Sequence, residues 1–92
     1  MKGNRKMNNG TVNRIPKDGD EVYILAGCMA DIVVKGKVLR TNNIDNKWFF
    51  NTYLEIENNN GGLHHVPISV VFDHKPKRVK ITDTYGEVIV WQ

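Results

Sequence analysis

Between Lys47 and Glu57 the chain reads "KWFFNTYLEIE", and bulky side chains recur at every second position. A strand sends successive side chains to opposite faces, so a period of two is the signature of a half-buried β-strand. Trp48, Phe50, Thr52, Leu54 and Ile56 then form the apolar face, and Phe49, Asn51, Tyr53, Glu55 and Glu57 the other. "NNNGG" (58–62) is a turn, and "LHHVPI" (63–68) is the returning strand. A loop that uses all of "NNNGG" pairs Glu57 with Leu63, Ile56 with His64 and Leu54 with Val66, and sets Glu55 opposite His65 on the outside. A G1 bulge would shift this register by one residue and exchange the two histidines.

The rest of the chain repeats the theme. Gly19-Asp20 is a turn before the strand "EVYILA" (21–26), where Val22, Ile24 and Ala26 share one face and Tyr23 and Leu25 the other. "DIVVKGKVLR" (31–40) is the next strand, with Val34, Gly36 and Val38 on one face; Gly36 inside a strand marks a bulge or sharp bend. "TNNIDN" (41–46) supplies turn residues. Pro67 stops ladder pairing, and "ISVVF" (68–72) reads as a short 3₁₀ turn or corner. "KRVKIT" (77–82) and "EVIVW" (87–91) make a last hairpin over "DTYG" (83–86), with Gly86 placed for positive φ. That register pairs Val79 with Val90, Ile81 with Val88 and Arg78 with Trp91. No segment holds a 3.6-residue apolar period beyond about two turns. The expected class is all-β, a small barrel of five or six short strands.

Residues 1–17, "MKGNRKMNNGTVNRIPK", contain few apolar side chains and no aromatic. Burying so little cannot offset an ordering cost of roughly 1–2 kcal/mol per residue. The expectation is a disordered basic tail over 1–17 and one small domain over 18–92. Charge shows the same division: residues 1–17 carry +5, 18–57 carry −3 and 58–92 carry +1. Basic character sits in the tail and in "HKPKRVK" (74–80), an asymmetry that attracts phosphate or simply solvates the chain. A translation start at Met7 would delete Lys2, Arg5 and Lys6 and bring the net charge from +3 to zero.

Cys28 is the single cysteine, which excludes an internal disulfide and disfavours a cysteine metal site; it reads as a buried structural thiol. No apolar run stands behind the basic N-terminus, and none approaches the ~20 residues of a membrane span, so a cytoplasmic chain with no membrane partner is expected. Eleven asparagines suit an AT-rich coding sequence of the kind phages and mobile elements carry.

Chemistry finds little to work with. His64 and His65 are consecutive on a strand and point to opposite faces, so they cannot ligate one ion from one side. His74 beside Asp73 precedes an exposed "KPK" loop. Asp31, Asp45, Glu55 and Glu57 have no acid/base spacing. The expectation is no enzyme, no metal and no cofactor.

"GDEVYILAG" (19–27) and then "KGKVLRT" (35–41) resemble the KOW motif of NusG-type transcription factors and of a ribosomal large-subunit protein. Gly19, Asp20, Val22, Gly27, Gly36, Lys37 and Val38 carry the likeness, over about a quarter of the chain. The resemblance implies an SH3-like, KOW-like barrel and contact with RNA or a ribonucleoprotein. The chain departs from the motif at "CMADIVVK" (28–35), which is longer and more apolar than the family's basic loop.

The expected function is therefore a non-enzymatic module for nucleic acid, RNA favoured. Arg14, Lys17, Lys75, Lys77, Arg78 and Lys80 would contact phosphates, and Tyr23, Phe49, Tyr53 and Trp91 would offer stacking faces. The rival expectation is a phage- or element-encoded module that binds a host protein complex, or a homo-oligomer, with the same rings buried in the interface or under the chain's own segments.

Overall fold

The computed structural model describes residues 10–43 and 48–92. Tail residues 1–9, the end of the 41–46 turn and Lys47 of the expected strand lie outside the described residues. Among the described residues seven strands appear in chain order: β1 (Glu21–Ala26), β2 (Ile32–Asn43), β3 (Thr52–Asn58), β4 (Leu63–Pro67), β5 (Val71–Phe72), β6 (Arg78–Asp83) and β7 (Gly86–Trp91). Short 3₁₀ turns stand at Phe49–Asn51 and Ile68–Val70, and no α-helix occurs among the described residues. The chain is all-β.

β1 to β5 form an antiparallel sheet in the order β4-β3-β2-β1-β5, and β6 and β7 form a separate hairpin. The two edge strands of the large sheet are consecutive in the chain. In a flat sheet four spacings would separate them by about 19 Å. The Ile68–Val70 turn, rising ~2 Å per residue, delivers only about 8 Å. The sheet therefore curls. Inside the curl lie Val22, Ile24, Val38, Leu54, Ile56, Ile68 and Val71, with Val12, Val34, Phe49 and Val66 packed against them. No ladder joins β4 to β5 among the described residues.

Gly36 stands against β3 with no room for a side chain. A Cβ added there would stand 2.4 Å from Ile56 Cγ2 and 2.8 Å from the Glu57 carbonyl oxygen. Its role is close approach of β2 to β3; of the bulge or sharp bend expected there from the sequence, the bulge is not at Gly36. The bulge falls two residues later, between Val38 and Arg40, where β2 slips against β3. The slip leaves Leu39 over and reverses the parity of the residues beyond it. Thr41 and Asn43 consequently face Leu54 and Thr52 in the ladder, so the strand runs into what reads as turn sequence. Asn43 secures that end, its Nδ2 donating to the Trp48 carbonyl (3.1 Å) and to Thr52 Oγ1 (2.8 Å).

A second correction concerns the start of β3. The expected apolar face of Trp48, Phe50, Thr52, Leu54 and Ile56 holds only from Thr52 onward. Trp48 and Phe50 are each 60% exposed, while Phe49 packs on the core. The Phe49–Asn51 turn explains this, because a 3₁₀ turn brings residues i and i+3 to one side. Phe49 and Thr52 are so related, and both go in. The period of two restarts after the turn.

The outer face of β1 and β5 is covered as well. Leu25 and Phe72 point away from the core by alternation, yet Leu25 is 4% and Phe72 0% exposed. Pro76 and Val90, before and within the hairpin, are also buried. The hairpin is tied in place by the Trp91 Nε1–H donating to the Ala30 carbonyl at 3.1 Å. Lys77 and Gln92 exchange backbone hydrogen bonds of 2.9 and 3.0 Å, which lengthens the hairpin by one pair. Residues 10–12 of the expected tail also take part: Thr11 bridges Phe72, and the Val12 N–H donates to the Val71 carbonyl at 2.9 Å.

The parity reset predicts unequal costs for neighbouring rings. Phe49→Ala should destabilise by about 2 kcal/mol, below a fully buried Phe because the ring is half-buried, and Phe50→Ala by under about 0.5 kcal/mol. Urea denaturation measures both, and a larger loss at Phe50 than at Phe49 would restore the unbroken alternation.

Candidate nucleic-acid interface

The outer face of the curled sheet is a ladder of alternating charge. Across β1, β2 and β3 the register sets Glu21 opposite Lys37 and Lys37 opposite Glu57. Arg40 lies opposite Glu55, its Nε donating to Glu55 Oε1 at 2.8 Å. That carboxylate raises the Arg40 pKa, first by the hydrogen bond and then by its charge. Lys35 sits 3.7 Å from Glu21 and 5.9 Å from the centre of the Tyr23 ring. Cations here stand among acids of equal weight. A polyanion would gain little at a face whose basic groups already have acidic neighbours.

The stacking residues expected on this face are dispersed. Tyr23 pairs with Lys35 and Tyr53 with Asn42, seven positions apart on β2, or roughly 23 Å at strand rise. Both rings are half-buried, and Tyr53 stacks on His65 with centroids 5.3 Å apart and planes 19° from parallel. Phe49 is withdrawn into the core and meets Phe50 edge-on at 5.2 Å. These rings do not form one platform.

Arg14 and Lys17 line a cleft of about 500 Å³ between residues 12–17 and the start of β1. Asp20, Glu21 and Asp73 line it too, so acids outnumber cations there. The Lys17 N–H donates to Asp20 Oδ2 at 2.9 Å and its carbonyl accepts from the Asp20 N–H at 3.0 Å, which fixes the turn into β1. Cys28, expected to be buried, is exposed at the β1–β2 turn, beside Met29 at 83% exposure.

The hairpin is different. Its register is the one expected, with Arg78 opposite Trp91, Val79 opposite Val90 and Ile81 opposite Val88. Val90 is buried, so the alternate positions Arg78, Lys80, Ile89 and Trp91 share the opposite face. The Arg78 Cζ lies 5.2 Å from the centre of the Trp91 ring, a cation–π pair. Lys75, Lys77, Arg78 and Lys80 are all exposed. Among the described residues, Lys80 alone of these has an acidic partner, Glu87 at 3.7 Å. Four cations in six residues stand on a chain whose residues 10–92 sum to zero charge, so the charge is polarised toward this ridge. No family model, curated protein or solved structure matches the chain.

Of the ten residues expected at the interface, five lie on the hairpin or just before it, Lys75, Lys77, Arg78, Lys80 and Trp91, and of these Arg78, Lys80 and Trp91 share one face. Two features escaped the sequence. Ile89, 55% exposed next to Lys80, could have been found by continuing the hairpin alternation outward. The anchoring of Trp91 to Ala30 joins residues 61 positions apart and has no local signal.

Trp91→Phe keeps a ring beneath Arg78 and removes the N–H. It should cost about 1 kcal/mol of stability and speed amide exchange in the 27–31 turn. Unchanged exchange at Ala30 and Asp31 would show that the bond does not hold the turn.

Proposed function

We propose that this chain is a non-enzymatic nucleic-acid-binding module, RNA favoured, whose contact surface is the basic ridge of β6 with Trp91. The observation that carries the reading is Arg78 held over Trp91 amid three exposed lysines. Such a surface joins phosphate contacts to a stacking element, which is how proteins hold single-stranded and looped nucleic acid. The strand order β4-β3-β2-β1-β5, with a 3₁₀ link between its edges, is read as a small SH3-like barrel. On that reading the KOW-like connection is the β1–β2 turn. Residues 27–34 contain no lysine or arginine, so the phosphate contacts of the family's loop would be transferred to β6.

A labelled mixed-sequence RNA titrated by anisotropy tests the proposal. Affinity should fall with salt at a log–log slope of about −2 to −3, the value for three or four neutralised phosphates on a single strand. Lys75→Gln with Lys77→Gln should lower that slope by about 1.4 and leave stability unchanged. Absence of salt-sensitive binding to any RNA or DNA overturns the reading.

One observation favours a second reading, a module for a protein partner. Trp48 and Phe50 are each 60% exposed on one short segment beside the Ile68–Val70 turn. Trp48→Ser with Phe50→Ser should then abolish capture of a protein from nuclease-treated lysate while the urea midpoint stays in place. Capture that survives the exchange removes this surface.

A further inference from the structure

Resting on the nucleic-acid reading, the geometry points to unpaired nucleic acid, not duplex, as the ligand of the β6–β7 face. Three observations bear on the choice. The first is the linear layout of the cations. Arg78 and Lys80 are alternate residues of one strand, about 6.7 Å apart along one face of it, while Lys77, paired with Gln92 one step before, takes the other face. A short row of cations along one strand matches one phosphate backbone. A duplex offers two backbones across a groove, and the neighbouring strand β7 presents Glu87 where a second row of cations would be needed.

The second observation is what stands beside this row. Trp91 lies opposite Arg78, and Ile89, 55% exposed, lies opposite Lys80. Against a duplex these apolar groups would meet charged backbone, because paired bases have their faces buried in the stack. Unpaired bases present those faces, and apolar side chains next to cations are the surface on which they settle.

The third is that the stack is already built. The Trp91 indole is held from one edge by its bond to the Ala30 carbonyl, and the Arg78 guanidinium lies over its ring. A planar guanidinium supported in this way offers its own face to a base, so Arg78 serves as both charge and stacking surface. Lysine in the same place would keep only the charge.

Two probes of equal length decide it, a fluorescein-labelled 12-nucleotide single strand of mixed sequence and the same strand annealed to its complement, each titrated with the full chain. The single strand should bind at least tenfold more tightly. Arg78→Lys should reduce single-strand affinity about fivefold or more with the salt slope unchanged, and should hardly alter duplex binding. Duplex bound as tightly as single strand, or Arg78→Lys without effect on either probe, overturns this inference while leaving the nucleic-acid reading in place. If neither probe binds in a salt-sensitive way, it is the underlying reading that falls. Thermal unfolding of the Arg78→Lys chain, expected to match the parent, separates a lost contact from a lost fold.

Discussion

A three-residue turn holds the two edges of a five-stranded sheet together, and most of this structure depends on that tether. Curling brings the inner faces of β1, β2 and β3 toward one another and encloses Ile68 of the turn itself. It also demands places where the backbone can bend or come close. Gly36 provides the approach, with no room for a Cβ against Ile56, and the slip after Val38 provides the bend. Bulges raise local twist, which a long strand shared by two neighbours requires. β2, the longest strand, pairs with β1 through its first half and with β3 through its second. The bulge stands where the second pairing is under way.

Curling alone leaves a small domain short of buried surface, since a short chain has much skin for its core. The remedy is burial on the outside of β1 and β5 as well. Phe72 and Leu25 are buried on the outside much as Ile24 and Val71 are inside, so this end of the sheet is apolar on both faces. β4, at the other edge, stays open to solvent. It is short and ends in Pro67, which lacks the N–H that a further strand would need. The β5 edge is treated differently, through the bridge at Thr11 and the bond from Val12. At this corner Gly10, His74 and Gln92 meet: a Cβ on Gly10 would fall 3.2 Å from the His74 ring and 3.8 Å from the last residue.

Local rules carried far where a loop fixes the register. Five residues of "NNNGG" set Glu55 against His65 and Ile56 against His64, and the hairpin over Thr84-Tyr85 set Arg78 against Trp91, as the alternation requires. Asn58 reinforces the first loop, its Oδ1 accepting from the N–H groups of Asn60 and Gly62 at 2.8 and 2.9 Å. Alternation failed at Trp48–Phe50 because "WFFN" suits a strand or a tight turn equally well, and only packing of Phe49 on the core decides between them. It failed again at Leu39, where the extra residue looks like any other in the run. Coverage was the least legible property. Tyr23, Tyr53 and Phe49 all read as outward rings, but what lies over a ring depends on residues far along the chain.

The same distinction separates the candidate interface from its alternatives. Sequence proximity groups Lys75, Lys77, Arg78 and Lys80, and the hairpin register sets Trp91 opposite Arg78; these are local facts, and of the five the register puts Arg78, Lys80 and Trp91 on one face. Pooling them with Arg14, Lys17, Tyr23 and Tyr53 required the fold to bring distant segments together, and the fold places those residues among acids or on separate parts of the sheet. Electrostatics then argues from placement instead of totals. Residues 10–92 carry no net charge, yet an ion approaching within a Debye length of about 8 Å responds to the nearest charges, not to the sum. Near β6 those charges are predominantly positive, and near the outer sheet they cancel. A neutral domain with one basic ridge is oriented by a polyanion before any contact forms, whereas a uniformly basic one would be attracted without being oriented.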